Sequence, residues 1–390
     1  VMDAAVHQTQ PSPSLVGVGV SHARDPVAAV REALASLRET GSCFVLAFVP
    51  DALDPHIVVS EMGRLLPSTP VFGCTTAGQI TNSGYQDDAL LLIAFPKDHF
   101  RCASTLIKPL KPVSIEQTAT EARRLSTRFQ RTANWNRLAL IFADGLSKQE
   151  DVLVAALEAG LEDVPVCGGS AGHGLAFDET FVLHGGQAHG NAALLVLLET
   201  DLSFLELGFD HFLPTEKRMV VTRAVPEERL VLEINGSPAA QEYARLIERD
   251  IADLSPQVFA ENPVLVRNHN AWHVRAIQQV VGDNALSFFS AIDDGLLLTL
   301  GRGQEILRTM DTCLSLPDRA GAKPDFILGF DCFLRRLEIE QNGLTKPASE
   351  LLKSHRVLGF NTYGEQHRGV HVNQTFVGIA FFPTTERLPF

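Results

Sequence analysis

Histidine and phenylalanine are the residue types here that point most directly to chemistry: 13 His and 23 Phe stand against two Trp and three Tyr. A neutral imidazole offers a ligand nitrogen, and the Phe bias is compatible with an apolar pocket around a bound metal or cofactor, although any two-domain core could use it. His211 lies in Gly208-Phe209-Asp210-His211-Phe212-Leu213-Pro214, between Phe209 and Phe212, with Pro214 restricting the backbone. It is the first candidate for an axial metal ligand. His371 precedes Asn373-Gln374-Thr375 in a strand-like run, where alternation places 371, 373 and 375 on one face. His273 adjoins Trp272, so only one of the two side chains can face a core; His269 lies just upstream. His173 falls in a Gly-rich turn, and His184 and His189 near Gly185-Gly186 read as loop residues. Four Met, one of them Met62 on an apolar helix face, make thioether ligation the weaker option. Each histidine has a competing structural reading: a core or turn residue bonded to backbone or, for His371, to Glu365.

Nucleophilic chemistry has two candidates. Cys74 follows Gly73 and Ser170 follows Gly169, with His173, His371 or Glu365 as bases. Gly168 to Gly172 spells the Gly-x-Ser-x-Gly elbow, but that elbow requires a helix immediately after it, and His-Gly-Leu-Ala-Phe-Asp does not read as one. A Cys- or Ser-dependent enzyme is therefore disfavoured, and Cys74 reads as a small packing residue. No Walker motif occurs, and Gly17 and Gly19 are followed by His22 where a dinucleotide fingerprint needs its third glycine. A third chemistry is recognition of a small polar metabolite such as an amino acid. Thr75, Thr76, Gln79, Ser170, Asn361, Glu365 and Gln374 cluster near Gly-rich turns whose amides suit a carboxylate. The same groups could equally cap strand ends and bond one another.

The elements that must position these residues repeat three times. Phe44–Phe48 reads as a strand, Asp54-Pro55 opens a helix, Pro70 to Ile80 is a short strand breaking into Gly and small residues, and Ala89–Phe95 closes the unit. The second copy runs from Leu138–Phe142 through a capping box at Ser147 and Glu150 to Pro165–Gly174 and Ala192–Leu198. The third has Phe326–Phe330, a helix-prone stretch to Lys353, the turn-bearing Arg356–Gln366 and a last strand from His371. The turns Gly73–Gly78, Gly168–Gly174 and Gly359–Gly364 are expected at the C-terminal ends of equivalent strands, where α/β sheets place ligands. The first two are expected to be related units of one half. Between the second and third copies, Asn235-Gly236 and Gly282-Asp283-Asn284 signal hairpins, and Ser237-Pro238 signals a helix start. The fold class is a two-domain layered α/β protein with mixed sheets, divided at 14–219 and 220–390.

A formal charge of −13 argues against electrostatic binding to nucleic acid or to an anionic membrane. No apolar run reaches the ~20 residues of a membrane helix, and no basic-then-apolar leader is seen, so a cytoplasmic location is expected. Six Cys without a Cys-x-x-Cys pair fit a reducing compartment.

The runs GCTTAGQI, CGGSAGHG, EINGSPAAQEYARL and IDDGLLLTL, with the ending GFNTYGEQ and HVNQTFVGIAF, together resemble the FIST sensory domain family, its N- and C-terminal parts in order. The resemblance implies a cytoplasmic sensory module that is not an enzyme. Stand-alone chains of this size resemble the bacterial nitric-oxide-sensing haem proteins, which implies haem as cofactor, nitric oxide as ligand and a histidine kinase as partner. On that reading His211, Phe209, Phe212, His371 and His273 are the cofactor-binding candidates. The sequence leaves a homodimer open.

Overall fold

The computed structural model describes residues 14–37, 41–268, 271–316 and 322–383. The central strand of the first unit, Ser42–Val49, is buried without a break from Phe44 onward, as a strand covered on both faces must be. The helix Pro55–Leu65 follows; Asp54 caps it by accepting the His56 N–H, and Val58, Val59 and Met62 face inward. Next, Val71–Thr75 pairs in parallel with the central strand, and Leu90–Pro96 closes antiparallel to it. The second unit repeats this order with Asn136–Ala143, the helix Glu150–Leu161, Val166–Ser170 and Ala193–Thr200. The third has Phe326–Cys332, two helices, Val357–Thr362 and Phe376–Phe382.

The Gly-rich segments begin inside their strands rather than after them. Gly73, Gly168 and Gly359 each occupy the third position of the second parallel strand, opposite Ala47, Ile141 and Gly329. A Cβ at these sites would lie 1.9, 1.8 and 1.8 Å from the carbonyl oxygens of those partners, so only glycine admits the close approach. The strands then continue to Thr75, Ser170 and Thr362, and each is followed by a short hairpin.

These hairpins are exchanged. The first unit's, Gln79–Thr81 with Gly84–Gln86, completes the third sheet through Ile80 opposite Gly359. The second unit's, Val182–His184 with Gln187–His189, completes the first sheet. The third unit's, Glu365–His367 with Val370–Val372, completes the second. Three six-stranded sheets thus close a ring in which each depends on another unit. Their inner faces share one apolar cluster. In it Phe48 lies 6.1 Å from Phe142 and 4.6 Å from Phe360, and Phe330 lies 6.2 Å from Phe142. Their outer faces are covered by each unit's own helices.

The third unit therefore stands in the same ring as the first two, not in a separate half. Its edge strand is Ser203–Phe209, paired with Phe376–Phe382. Between that strand and its first helix, Ile306–Leu314, lies an eight-stranded antiparallel sheet spanning residues 212–303 with its own core. The expected division at 219/220 falls within the strand Phe212–Val225 of this inserted sheet. Asn235 and Gly236 form the expected turn at φ of +54° and +74°. Ser237-Pro238 is a short strand, and Pro238, not Ser237, stands at the cap of Ala239–Leu246. The capping box at Ser147 does not form either. Gln149 takes the cap position without a side-chain bond, because Glu150 is drawn into a buried ion pair with Arg229 at 2.7 Å.

Candidate functional site

Two buried polar clusters lie where the ring meets the inserted sheet, one built on His211 and one on His371.

His211 stands between the ring strand that ends at Phe209 and the inserted strand that begins at Phe212. Its Nε2 is 2.8 Å from Oε1 of Glu338, and Arg335 Nη1 lies 3.2 Å from its Nδ1. An arginine only donates, so Nδ1 accepts and Nε2 carries the proton that goes to Glu338. Arg335 in turn donates to Asp331 at 2.8 Å, and Asp331 accepts the Tyr85 hydroxyl of the exchanged first hairpin at 2.5 Å. Burial pushes the Asp331 carboxyl up, against the pull of Arg335. Phe209 stacks on Phe376 at 5.2 Å and lies under the Arg335 guanidinium, while Phe212 packs on the His211 ring at 4.1 Å. The two Phe enclose an ion-pair relay.

His371 pairs across its hairpin with Gln366, not with Glu365. Gln366 Nε2 lies 3.0 Å from Nδ1, and Nε2 lies 3.2 Å from the Phe289 carbonyl of the inserted sheet. Gln366 also donates to Ser170 at 2.9 Å. Burial lowers the His371 basicity despite Glu150 and Asp151 nearby, so the ring is neutral, accepting at Nδ1 and donating at Nε2. Around it stand Arg275, which donates to the His371 carbonyl at 3.3 Å, and Asn373, which accepts from Ala276 N–H at 3.3 Å and from the Ser290 hydroxyl. Asp151 accepts from Arg229 at 2.8 Å and from Ala291 N–H at 3.0 Å. Burial works against the Asp151 charge, but the Arg229 and Arg275 guanidinium groups outweigh it and hold the carboxyl below its ordinary value. Burial likewise lowers the Arg275 guanidinium.

Several polar atoms of this second cluster are buried without a hydrogen-bond partner: Arg275 Nε, Gln366 Oε1 and Asn373 Nδ2. Gly364 leaves the room they occupy, since a Cβ there would lie 2.3 Å from the His371 ring and 2.9 Å from Asn373 Nδ2. A separate cleft of about 400 Å³ is lined by Leu146, Lys148, Phe177, Glu228, Gln278 and Ser287 among others, and none of the residues bearing the orphaned atoms lines it. Its Phe177 packs on Phe289 at 5.7 Å, the residue whose carbonyl meets His371, and on Tyr363 at 5.0 Å.

The other sequence candidates divide between these places and the core. Ser170 belongs to the His371 cluster. Thr75, Thr76, Gln79, Asn361, Glu365 and Gln374 are all buried. Each has a partner within the fold: Gln79 donates to Thr76 at 2.6 Å, Glu365 accepts from the Thr362 hydroxyl, and Gln374 donates to the Ala260 carbonyl of a distant segment at 2.9 Å. Cys74 is enclosed in the ring core, and burial pushes its thiol well above the ordinary value, which suits packing rather than attack. No helix follows Ser170. His273 is half-buried on the outer inserted strand Ala271–Arg275, opposite Val266. His173 pairs with Asp178, His184 with Ser104, and His189 donates to the His184 carbonyl. His269 lies outside the described residues.

A haem iron needs a ring nitrogen with a free lone pair facing a large apolar cavity. At His211 and His371 both ring nitrogens are already bonded, and neither residue lines a described cleft. These two positions do not fit an axial role as arranged. The Phe residues are shared among the ring core and the cores beside it, with Phe44, Phe48, Phe95, Phe142, Phe330 and Phe360 in the first and Phe259 and Phe288 in the inserted sheet. Arg229, Arg275, Asp151 and Gln366 were not singled out from the sequence. They come from four separate segments, and no local spacing marks them; the one hint is Glu150, which cannot serve a capping box and an ion pair at once.

A family model described as FIST N domain matches residues 43–237, and one described as FIST C domain matches residues 239–368. No curated protein matches the chain.

Proposed function

Since the chain belongs to the FIST family of signal-transduction sensor domains, we propose that its input is a small carboxylate-bearing metabolite of the amino-acid kind, taken up beside His371 between ring and inserted sheet. The observation that carries this reading is the set of partnerless buried atoms on residues around His371, Arg275 Nε from the inserted sheet and Gln366 Oε1 and Asn373 Nδ2 from the ring. Leaving such groups unmade costs about 1–3 kcal/mol each, and a ligand with matching donors and acceptors removes that cost. Arg275 and Arg229 suit a carboxylate, and Asp151, held in its charged form, suits an ammonium group. Binding there ties the inserted sheet to the ring. A partner reads the change only if it binds the two arrangements unequally. On the family resemblance that partner is a histidine kinase.

The test follows the melting temperature of the purified protein across a panel of amino acids and small dicarboxylates, with hemin titrated in parallel. A rise with one carboxylate ligand, lost in Arg275→Gln, is expected. No rise with any member, together with a hemin-dependent Soret band, overturns the metabolite reading in favour of haem and nitric oxide.

A further inference from the structure

Away from that junction, three metal-ligating side chains meet on the seam between the second and third sheets. Cys167 lies on Val166–Ser170, and His367 lies directly opposite it on the exchanged hairpin strand Glu365–His367. Glu206 comes from the third sheet's edge strand, Ser203–Phe209. The Cys167 Sγ is 3.5 Å from Glu206 Oε2, and His367 Nε2 is 3.6 Å from the same oxygen. One ligand atom from each residue falls within 4.8 Å of the others. In a tetrahedral zinc site, bonds of about 2.0–2.3 Å put neighbouring ligand atoms about 3.3–3.7 Å apart. Two of the three edges are therefore already at the right length, and the third needs only a small side-chain movement.

The plain structural reading is a thiol bonded to a carboxylate beside a packed imidazole. It leaves His367 Nε2 buried with no hydrogen bond, since 3.6 Å to Glu206 is too long for one. The ring is also given its place: a Cβ at Gly208 would lie 2.6 Å from its Nδ1. Arg368, exposed beside His367, is a positive charge that a bound cation must tolerate.

We propose that Cys167, Glu206 and His367 form a zinc site, with thiolate, carboxylate and imidazole as protein ligands and water in the fourth position. Thiolate and imidazole select zinc over magnesium or calcium. Binding displaces the thiol proton to solvent and fastens the exchanged hairpin to strands of two sheets at once.

The experiment uses the full chain stripped with a chelator and titrated with Zn²⁺ by calorimetry and with Co²⁺ by absorption. One equivalent should bind, and cobalt should produce a thiolate charge-transfer band that Cys167→Ser abolishes. His367→Ala should weaken zinc binding at least 10-fold. Glu206→Gln, on a partly exposed edge strand, serves if the other variants do not fold, and it too should lower affinity. Absence of stoichiometric zinc binding, a cobalt band that survives Cys167→Ser, or unchanged affinity in Glu206→Gln overturns the proposal.

Discussion

In the ring, a strand's partners come from the far ends of the chain: Gly359 pairs with Ile80, and Glu365 with Gly169. In the inserted sheet, the partners all lie within residues 212–303, and several are consecutive hairpins such as Ile277–Val281 with Ala285–Phe288. The two bodies are both well-packed α/β or β structures, yet only one is tied together by exchange. The exchanged pairing predicts that the ring opens as one unit, and the inserted sheet, whose strand pairs are all its own, is expected to open more independently.

The harshest way to break this contrast is to replace the hairpin 365–372 with a short Gly-Ser linker. Hydrogen exchange should then show lost protection throughout the ring, including Ser42–Val49 of the distant first unit. Shortening the inserted hairpin 277–288 in the same way should spare those amides. Retained protection of the first unit in the hairpin-deleted chain would remove the claim of interdependence.

A milder probe compares glycines. Gly168→Ala drives a Cβ to 1.8 Å from the Ile141 oxygen, with fixed backbone on the other side, and should cost about 3–5 kcal/mol. Gly236→Ala, at φ of +74° with nothing within 4 Å, should cost about 1–2 kcal/mol. Denaturant melts that give equal losses would mean that the close strand approach in the ring is not a tight constraint.

The smallest effect concerns pH at the junction between the bodies. Burial holds the folded His371 pKa below its ordinary 6.5. Below about pH 6.5 the unfolded chain takes up a proton that the folded chain refuses, so this contribution is complete above that pH and declines as pH falls. The melting temperature should drop on going from about pH 7 to about pH 5.5, and the drop should be shallower in His371→Gln. An unchanged slope would place the acid sensitivity elsewhere.

Much of the ring was legible. The buried strands, the Asp54-Pro55 start and the threefold recurrence follow from apolar runs, caps and glycine spacing, which are local signals. The exchange was not, because hairpins of three-residue strands carry little pattern and their partners lie in another unit. Membership of the third unit was hidden for the same reason: the inserted sheet separates its edge strand from the rest. At the sites, the sequence found His211, His371 and Ser170 as residues of interest, and it carried no sign of the Glu338 and Arg335 partners that His211 has in the fold. What Glu338, Arg335 and Gln366 do to those rings depends on helices and strands more than a hundred residues away in most cases. The meeting of Cys167 with Glu206 and His367, and the approach of the Cys43 and Cys102 thiols to 3.8 Å, are likewise products of tertiary folding that spacing does not announce.

The cyclic exchange of hairpins also sets a timetable for synthesis. The first unit's hairpin has no acceptor until Val357–Thr362 emerges, and the second sheet stays open at Val166–Ser170 until residues 365–372 are made. A nascent chain therefore exposes unpaired strand edges over most of its translation, and two ribosome-proximal copies offer one another the same docking edges. Chaperone occupancy of the growing chain, and interlocked dimers when it is crowded, are the expected burdens of this ring.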